Sequence, residues 1–103
     1  TLIPVVSFSY PPQRAMVIRE GMLSFGQPEY LTTRSQDLEP YYHDAGQFYL
    51  FRTEAYRRNG NLLKGKILPL VVSELEVQDI DNLTDWEIAE MKYRLMLKNA
   101  DRK

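Results

Sequence analysis

The chain has 103 residues, no cysteine and a formal net charge of −1. That length suits one small domain with a modest core, burying roughly 60–68% of its unfolded surface. The charge balance offers no basic face for nucleic acid or an anionic membrane, and the lack of cysteine excludes disulfides, zinc–thiolate sites and thiol nucleophiles. Apolar residues make up 44% of the chain, so a globular fold is expected. No apolar run approaches ~18 residues, and no basic segment precedes an apolar run at the start, so neither a membrane span nor a signal peptide is expected. The expected location is cytoplasmic. The chain opens on Thr1-Leu2-Ile3, already inside a strand-like run, which reads as a piece of something longer.

Leu2 to Ser9 is a strand by its β-branched and aromatic content. Pro4 lacks an N–H, which puts it at a sheet edge or at the strand start. Pro11-Pro12 stops the strand. Arg14 to Arg19 and Met22 to Phe25 read as a hairpin around Glu20-Gly21, where glycine supplies a positive φ. Such a ribbon cannot bury both faces alone, so it calls for a partner surface. Tyr30 to Tyr42 is polar and irregular, with a helical turn before Pro40. Asp44-Ala45-Gly46 is a turn.

Gln47 to Phe51 is dense in aromatics and reads as a central, buried strand. Thr53 to Asn59 reads as a short helix capped by Thr53 and closed by Asn59-Gly60. Lys66 to Val72 is a strand, with Pro69 placing it at an edge or a bulge. Val77 to Asp81 reads as a short strand and tight turn. The last helix is predicted from about Asp85 to Leu97, behind a Thr84/Glu87 capping box. Trp86, Ala89, Tyr93 and Met96 fall on one stripe beside Ile88, Met91 and Leu95, the spacing of a core-facing helix. Glu90 and Arg94 form a favourable i,i+4 pair. Asn99 to Lys103 is expected to fray. No repeat or low-complexity segment is present.

The chemistry concentrates at Asp79 and Asp81. On an extended backbone they share a face, roughly 6.6 Å apart at a rise of about 3.3 Å per residue. Two carboxylates so placed can converge on one hard cation, although Asp-x-Asp before a helix is also ordinary solvated turn chemistry. There is no Gly-rich phosphate loop. His43 is the single histidine, and a loop residue with a structural hydrogen bond is the plain reading. A Ser-His-Asp set from Ser9 or Ser35 with His43 and Asp44 lacks a nucleophile elbow. Arg14 and Arg34 sit beside Gln13 and Gln36 in polar segments. Their guanidinium forks suit carboxylates or phosphates, or simply solvent and a surface ion pair.

Three runs taken together resemble a known family: Thr33-Arg34-Ser35-Gln36-Asp37-Leu38-Glu39-Pro40, His43-Asp44-Ala45-Gly46-Gln47-Phe48-Tyr49, and Val77-Gln78-Asp79-Ile80-Asp81 with Asp85-Trp86-Glu87-Ile88-Ala89-Glu90. With Pro12-Gln13-Arg14-Ala15, they are similar to the C-terminal half of the acylneuraminate cytidylyltransferases, the CMP-sialic acid synthetases. Within that family the bacterial pseudaminic acid cytidylyltransferases are the nearest branch. The resemblance implies a nucleotidyltransferase joining CTP to a nine-carbon α-keto acid sugar with loss of pyrophosphate. It implies an α/β fold, the C-terminal part of a Rossmann-like domain of the nucleotide-diphospho-sugar transferase type, with a β-hairpin dimerisation arm over about residues 14–42 and a homodimer.

The resemblance also assigns roles. Asp79 and Asp81 match the family's Mg²⁺-binding acids, over a metal-site segment and helix at 77–98. Gln47, Phe48 and Tyr49 fall in the sugar pocket. Arg14 and Arg34 match positions that reach the partner subunit's active site. Arg14 stands where the sialic acid enzymes often carry Lys, and Leu50 where an aromatic is expected. The nucleotide-binding half has no counterpart here, so the fragment alone is expected to be inactive. The competing reading of the residues is a non-catalytic α/β interaction or dimerisation module.

Overall fold

The structure, a computed structural model, describes residues 1–100. Five strands and two α-helices follow one another: β1 (Leu2–Ser7), β2 (Met16–Arg19), β3 (Met22–Phe25), β4 (Tyr42–Asp44), α1 (Thr53–Asn59), β5 (Leu68–Val71) and α2 (Leu83–Ala100). Short 3₁₀ turns at Pro12–Arg14, Pro28–Tyr30, Ser35–Asp37 and Glu74–Glu76 punctuate them. The architecture is mixed α/β. Ser7–His43 forms one compact unit. Thr1–Val6 and the described chain from Asp44 onward form the other.

The three-stranded sheet has the order β4-β1-β5. β1 and β5 are parallel, with Leu2 opposite Leu68 and Val5 opposite Val71. β1 is therefore central, and Pro4 lies within it, fully buried, rather than at an edge. The hydrogen-bond pattern explains the tolerance. The amides of Leu68 and Val72 donate to Thr1 and Val5, so the odd-numbered residues of β1 face β5. Pro4 faces the opposite flank, where its carbonyl accepts from Ala45 at 3.0 Å and no donor is demanded of it.

That same flank corrects the expected Gln47–Phe51 strand. Of the residues from Gln47 to Phe51, Leu50 alone pairs there, in an isolated antiparallel bridge to Leu2. Between Leu50 and Ala45 the ladder has no Pro4 N–H to continue on. The chain loops instead, and its aromatic run stays exposed, with Leu50 at 62%. β5 is an edge strand with Pro69 inside it, as its sequence indicates.

The core of this unit is Val6, Ala45 and Val77, with Val72 packed beside them. Val77 is extended but pairs with no strand, so the expected strand at Val77–Asp81 is absent. Helix α2 begins earlier and ends later than predicted. Its N-cap is Asn82, whose Oδ1 accepts from the Asp85 amide at 2.9 Å, while an Asp85 carboxylate oxygen accepts from the Asp81 amide at 3.0 Å. The capping interaction thus sits two residues before the expected Thr84. Asn99 and Ala100 are helical rather than frayed; residues 101–103 of the expected tail lie outside the described residues.

The α2 stripe is not core here. Trp86 is 55% exposed and Tyr93 59%, because within this unit the Glu74–Glu76 turn is the element packed on the helix. The predicted Glu90–Arg94 pair forms at 3.7 Å, and Trp86 Nε1 donates to Glu90 at 2.8 Å. Helix α1 starts at Thr53, so Arg52 rather than Thr53 is its N-cap, without a side-chain bond. Gly60, at φ +69°, closes it by donating to Tyr56. No helix among the described residues is long and apolar enough to cross a membrane.

In the Ser7–His43 unit, β2 and β3 pair antiparallel with Arg19 opposite Met22. The two-residue turn has φ +52° at Glu20 and +77° at Gly21, the positive pair that matches hairpin twist. Ile18 at 74% and Met22 at 73% are exposed. His43 lies in β4, and its ring meets Phe8 edge-on at 5.0 Å.

Candidate functional site

The acidic segment and the Asp44–Tyr49 loop come together. Gly46 has φ +72°, and a methyl group added to it would stand 3.4 Å from the Asp79 Cγ and 3.6 Å from its Oδ1. The loop backbone therefore passes beside the Asp79 carboxylate, with room for a methyl group between them. Only glycine adopts that φ without strain.

Two interactions fix the loop. The Gly46 amide donates to Asp44 Oδ1 at 2.8 Å, and the Tyr49 hydroxyl donates to Asp44 Oδ2. Two more tie it to the segment carrying the acids. Gln47 Nε2 donates to the Glu76 carbonyl at 3.2 Å, and Ala45 packs with Val77 in the core. The hydrogen bond to Asp44 raises the Tyr49 pKa above its ordinary 10.0, with desolvation and the Asp44 charge acting in the same direction. At neutral pH the phenol is protonated and serves as a donor.

Asp79 and Asp81 both lie on the surface. Among the described residues, no hydrogen bond or ion pair engages either carboxylate; the bonds at these residues use the Asp79 carbonyl and the Asp81 amide. Their oxygens are open to a ligand. No group of three or more His, Cys, Asp or Glu assembles around them among the described residues. This donor set suits a hard cation that takes one or two carboxylates and completes its shell from waters and phosphate oxygens. It does not suit a closed transition-metal site.

The other predicted residues divide. Gln47 and Tyr49 belong to the clamped loop. Phe48 is half exposed, with no ring partner among the described residues. Arg14 and Arg34 belong to the Ser7–His43 unit. Arg34 Nε pairs with Asp37 at 3.3 Å, an exposed ion pair of small energetic weight. Arg14 lines a mostly apolar cleft of about 590 Å³ with Phe8, Pro12, Met16 and Phe25. Its Nε is buried without a partner among the described residues. Neighbouring Gln13 is buried, and its Nε2 donates to the Glu39 carbonyl at 2.9 Å.

Sequence reasoning missed Gly46 and Lys92. Gly46 carried a signal, since Asp-Ala-Gly already marked a turn, but nothing indicated which side chain would lie against it. Lys92 Nζ donates to the Val77 carbonyl at 2.8 Å, holding α2 to the strand-like lead into Asp79. Its position on the Ala89–Met96 side of the helix was the only available hint.

No protein-family model matches the chain. Individual proteins do. It is 34% identical over 101 residues to the pseudaminic acid cytidylyltransferases of two Campylobacter jejuni strains, covering 96% of this chain and 43% of theirs. It is 32% identical over 83 residues to a Helicobacter pylori protein named pseudaminic acid cytidylyltransferase and UDP-2,4-diacetamido-2,4,6-trideoxy-beta-L-altropyranose hydrolase, covering 81% of this chain and 16% of that one. The chain spans less than half the length of these relatives. It belongs by sequence to the pseudaminic acid cytidylyltransferase branch of the acylneuraminate cytidylyltransferase family.

Proposed function

We propose that this chain supplies the metal-binding acids and part of the sugar pocket of an enzyme that transfers CMP from CTP to a nonulosonic acid of the pseudaminic type, releasing pyrophosphate. The observation that carries the reading is the identity of 34% sustained across 96% of the chain with proteins bearing that name. The open Asp79 and Asp81 carboxylates support it.

In this reading Asp79 and Asp81 hold Mg²⁺, which when bound would neutralise charge on the phosphate oxygens and help a sugar hydroxyl lose its proton. The Gly46 backbone passes beside Asp79. Gln47 offers amide hydrogen bonds and the Tyr49 hydroxyl oxygen an acceptor to a polyhydroxylated acid, and Phe48 offers a face for its apolar side. Arg14 and Arg34 supply planar cationic forks for carboxylate or phosphate at a partner subunit's site. The chain is then part of a Rossmann-like domain, with the hairpin region as a dimerisation arm in a cytoplasmic homodimer. Exposed Ile18 and Met22 fit such an arm. They fit a non-catalytic association module equally, so activity decides between the two.

The test is an assay of the complete polypeptide that carries this chain, with CTP, Mg²⁺ and pseudaminic acid. CMP-sugar and pyrophosphate should form. Asp79→Asn and Asp81→Asn should each cut turnover roughly a hundredfold or more while leaving the circular dichroism spectrum unchanged. Near wild-type product formation by both variants would refute the metal role.

A further inference from the structure

Asp44 organises the loop that passes beside Asp79. Its two carboxylate oxygens are both engaged from within the loop: Oδ1 by the Gly46 amide at 2.8 Å and Oδ2 by the Tyr49 hydroxyl. The first bond holds Gly46 in its left-handed conformation, at φ +72°. The second closes the six-residue segment 44–49 back onto the start of the loop. The product of that closure is the surface Gly46 presents to Asp79, where a single added carbon would stand 3.4 Å from the carboxylate carbon. The far side of the loop is held by Gln47 on the Glu76 carbonyl and by Ala45 against Val77. The acidic segment is thus gripped on one side by the Lys92 bond to Val77 and on the other by this loop.

We infer that Asp44 is a positioning residue for the cation site: its paired bonds to Gly46 and Tyr49 fix the loop that sets the direction of the Asp79 carboxylate. The inference rests on the metal role given to Asp79 above. Carboxylates that ligate metals depend on the groups holding them, and removing such support typically costs about 10–100-fold in metal affinity. Asp44 acts through the intervening loop backbone, so the lower end of that range applies.

Asp44→Asn keeps the shape but leaves one acceptor oxygen for two donors. Tyr49→Phe removes one bond of the clamp and leaves Asp44 charged. Mn²⁺ is the probe, its affinity for the complete polypeptide read by water-proton relaxation in the presence of CTP. A second readout is pyrophosphate release as a function of Mg²⁺ concentration. Asp44→Asn should weaken Mn²⁺ binding about tenfold, and Tyr49→Phe should weaken it by a smaller factor. Raising Mg²⁺ should restore most of the Asp44→Asn rate, because a misaimed ligand raises the metal concentration required without removing the chemistry. A loss of folded protein would lower the rate at every Mg²⁺ concentration and would overturn the inference. So would a Mn²⁺ affinity unchanged in Asp44→Asn while Asp79→Asn abolishes it. If Asp79→Asn binds Mn²⁺ as the wild type does, the metal reading of Asp79 falls, and this inference with it.

Discussion

Lys92 Nζ donates to the carbonyl oxygen of Val77 across 2.8 Å, joining α2 to the backbone two residues ahead of Asp79. The bond is partly buried, and a hydrogen bond from a charged donor in such a place contributes more than a neutral one. Lys92→Met keeps the aliphatic stem against the neighbouring Leu75 and Met96 but removes the donor, leaving the Val77 carbonyl short of a partner. We expect a loss of about 1–2 kcal/mol in chemical denaturation. Because Val77 is also core, the loss should come with faster hydrogen exchange of the amides between Val77 and Asp81. Unchanged stability together with unchanged exchange would show that the bond holds nothing.

What the sequence disclosed, and what it withheld, divides along a physical line. The Glu20-Gly21 hairpin and the Gly60 helix end were legible because each needs a positive φ, and glycine announces that locally. The helix Thr53–Asn59 was legible for the same reason. The Gln47–Phe51 segment was misread because an apolar run says nothing of whether a neighbouring strand can pair with it. Here the decisive fact was Pro4, distant in sequence, which supplies no amide at that point of β1. The α2 stripe was expected to be core and is exposed, because periodicity does not specify what covers a helix face. At the site, Asp79-x-Asp81 stood out by spacing. Its approach to Gly46 and its support by Lys92 are products of the fold, and no local pattern encodes them.

The start of α2 separates the observed cap from the one expected at Thr84. Asn82 makes the capping bond, to the Asp85 amide at 2.9 Å, and Thr84 lies inside the first turn. Asn82→Ala should therefore cost about 1 kcal/mol in denaturant unfolding, whereas Thr84→Ala should cost a few tenths or nothing. The same substitution frees Asp85, whose carboxylate accepts from the Asp81 amide at 3.0 Å. Asn82→Ala should then also loosen the backbone at Asp81, visible as weaker Mn²⁺ binding, and Thr84→Ala should not. The opposite ranking of the two variants would restore the Thr84 cap.

Tyr49 gives a pH signature for the loop clamp. Its phenol is held above its ordinary pKa of 10.0, first by the hydrogen bond it donates to Asp44, then by desolvation and by the repulsion its phenolate would meet from the same carboxylate. The folded state therefore favours the protonated form. The stability this contributes is present in full below pH 10 and is lost as pH rises through the elevated folded value. The chain has 7 tyrosines, so the wild-type ultraviolet titration must be compared with that of Tyr49→Phe to isolate this one. The difference curve should have its midpoint above pH 10. Asp44→Asn removes both the charge and the strong acceptor, so it should bring that midpoint back toward the ordinary value. A midpoint at or below 10 in the wild type, or one that does not move in Asp44→Asn, would show that Asp44 does not hold the phenol and that the loop is fixed by other means.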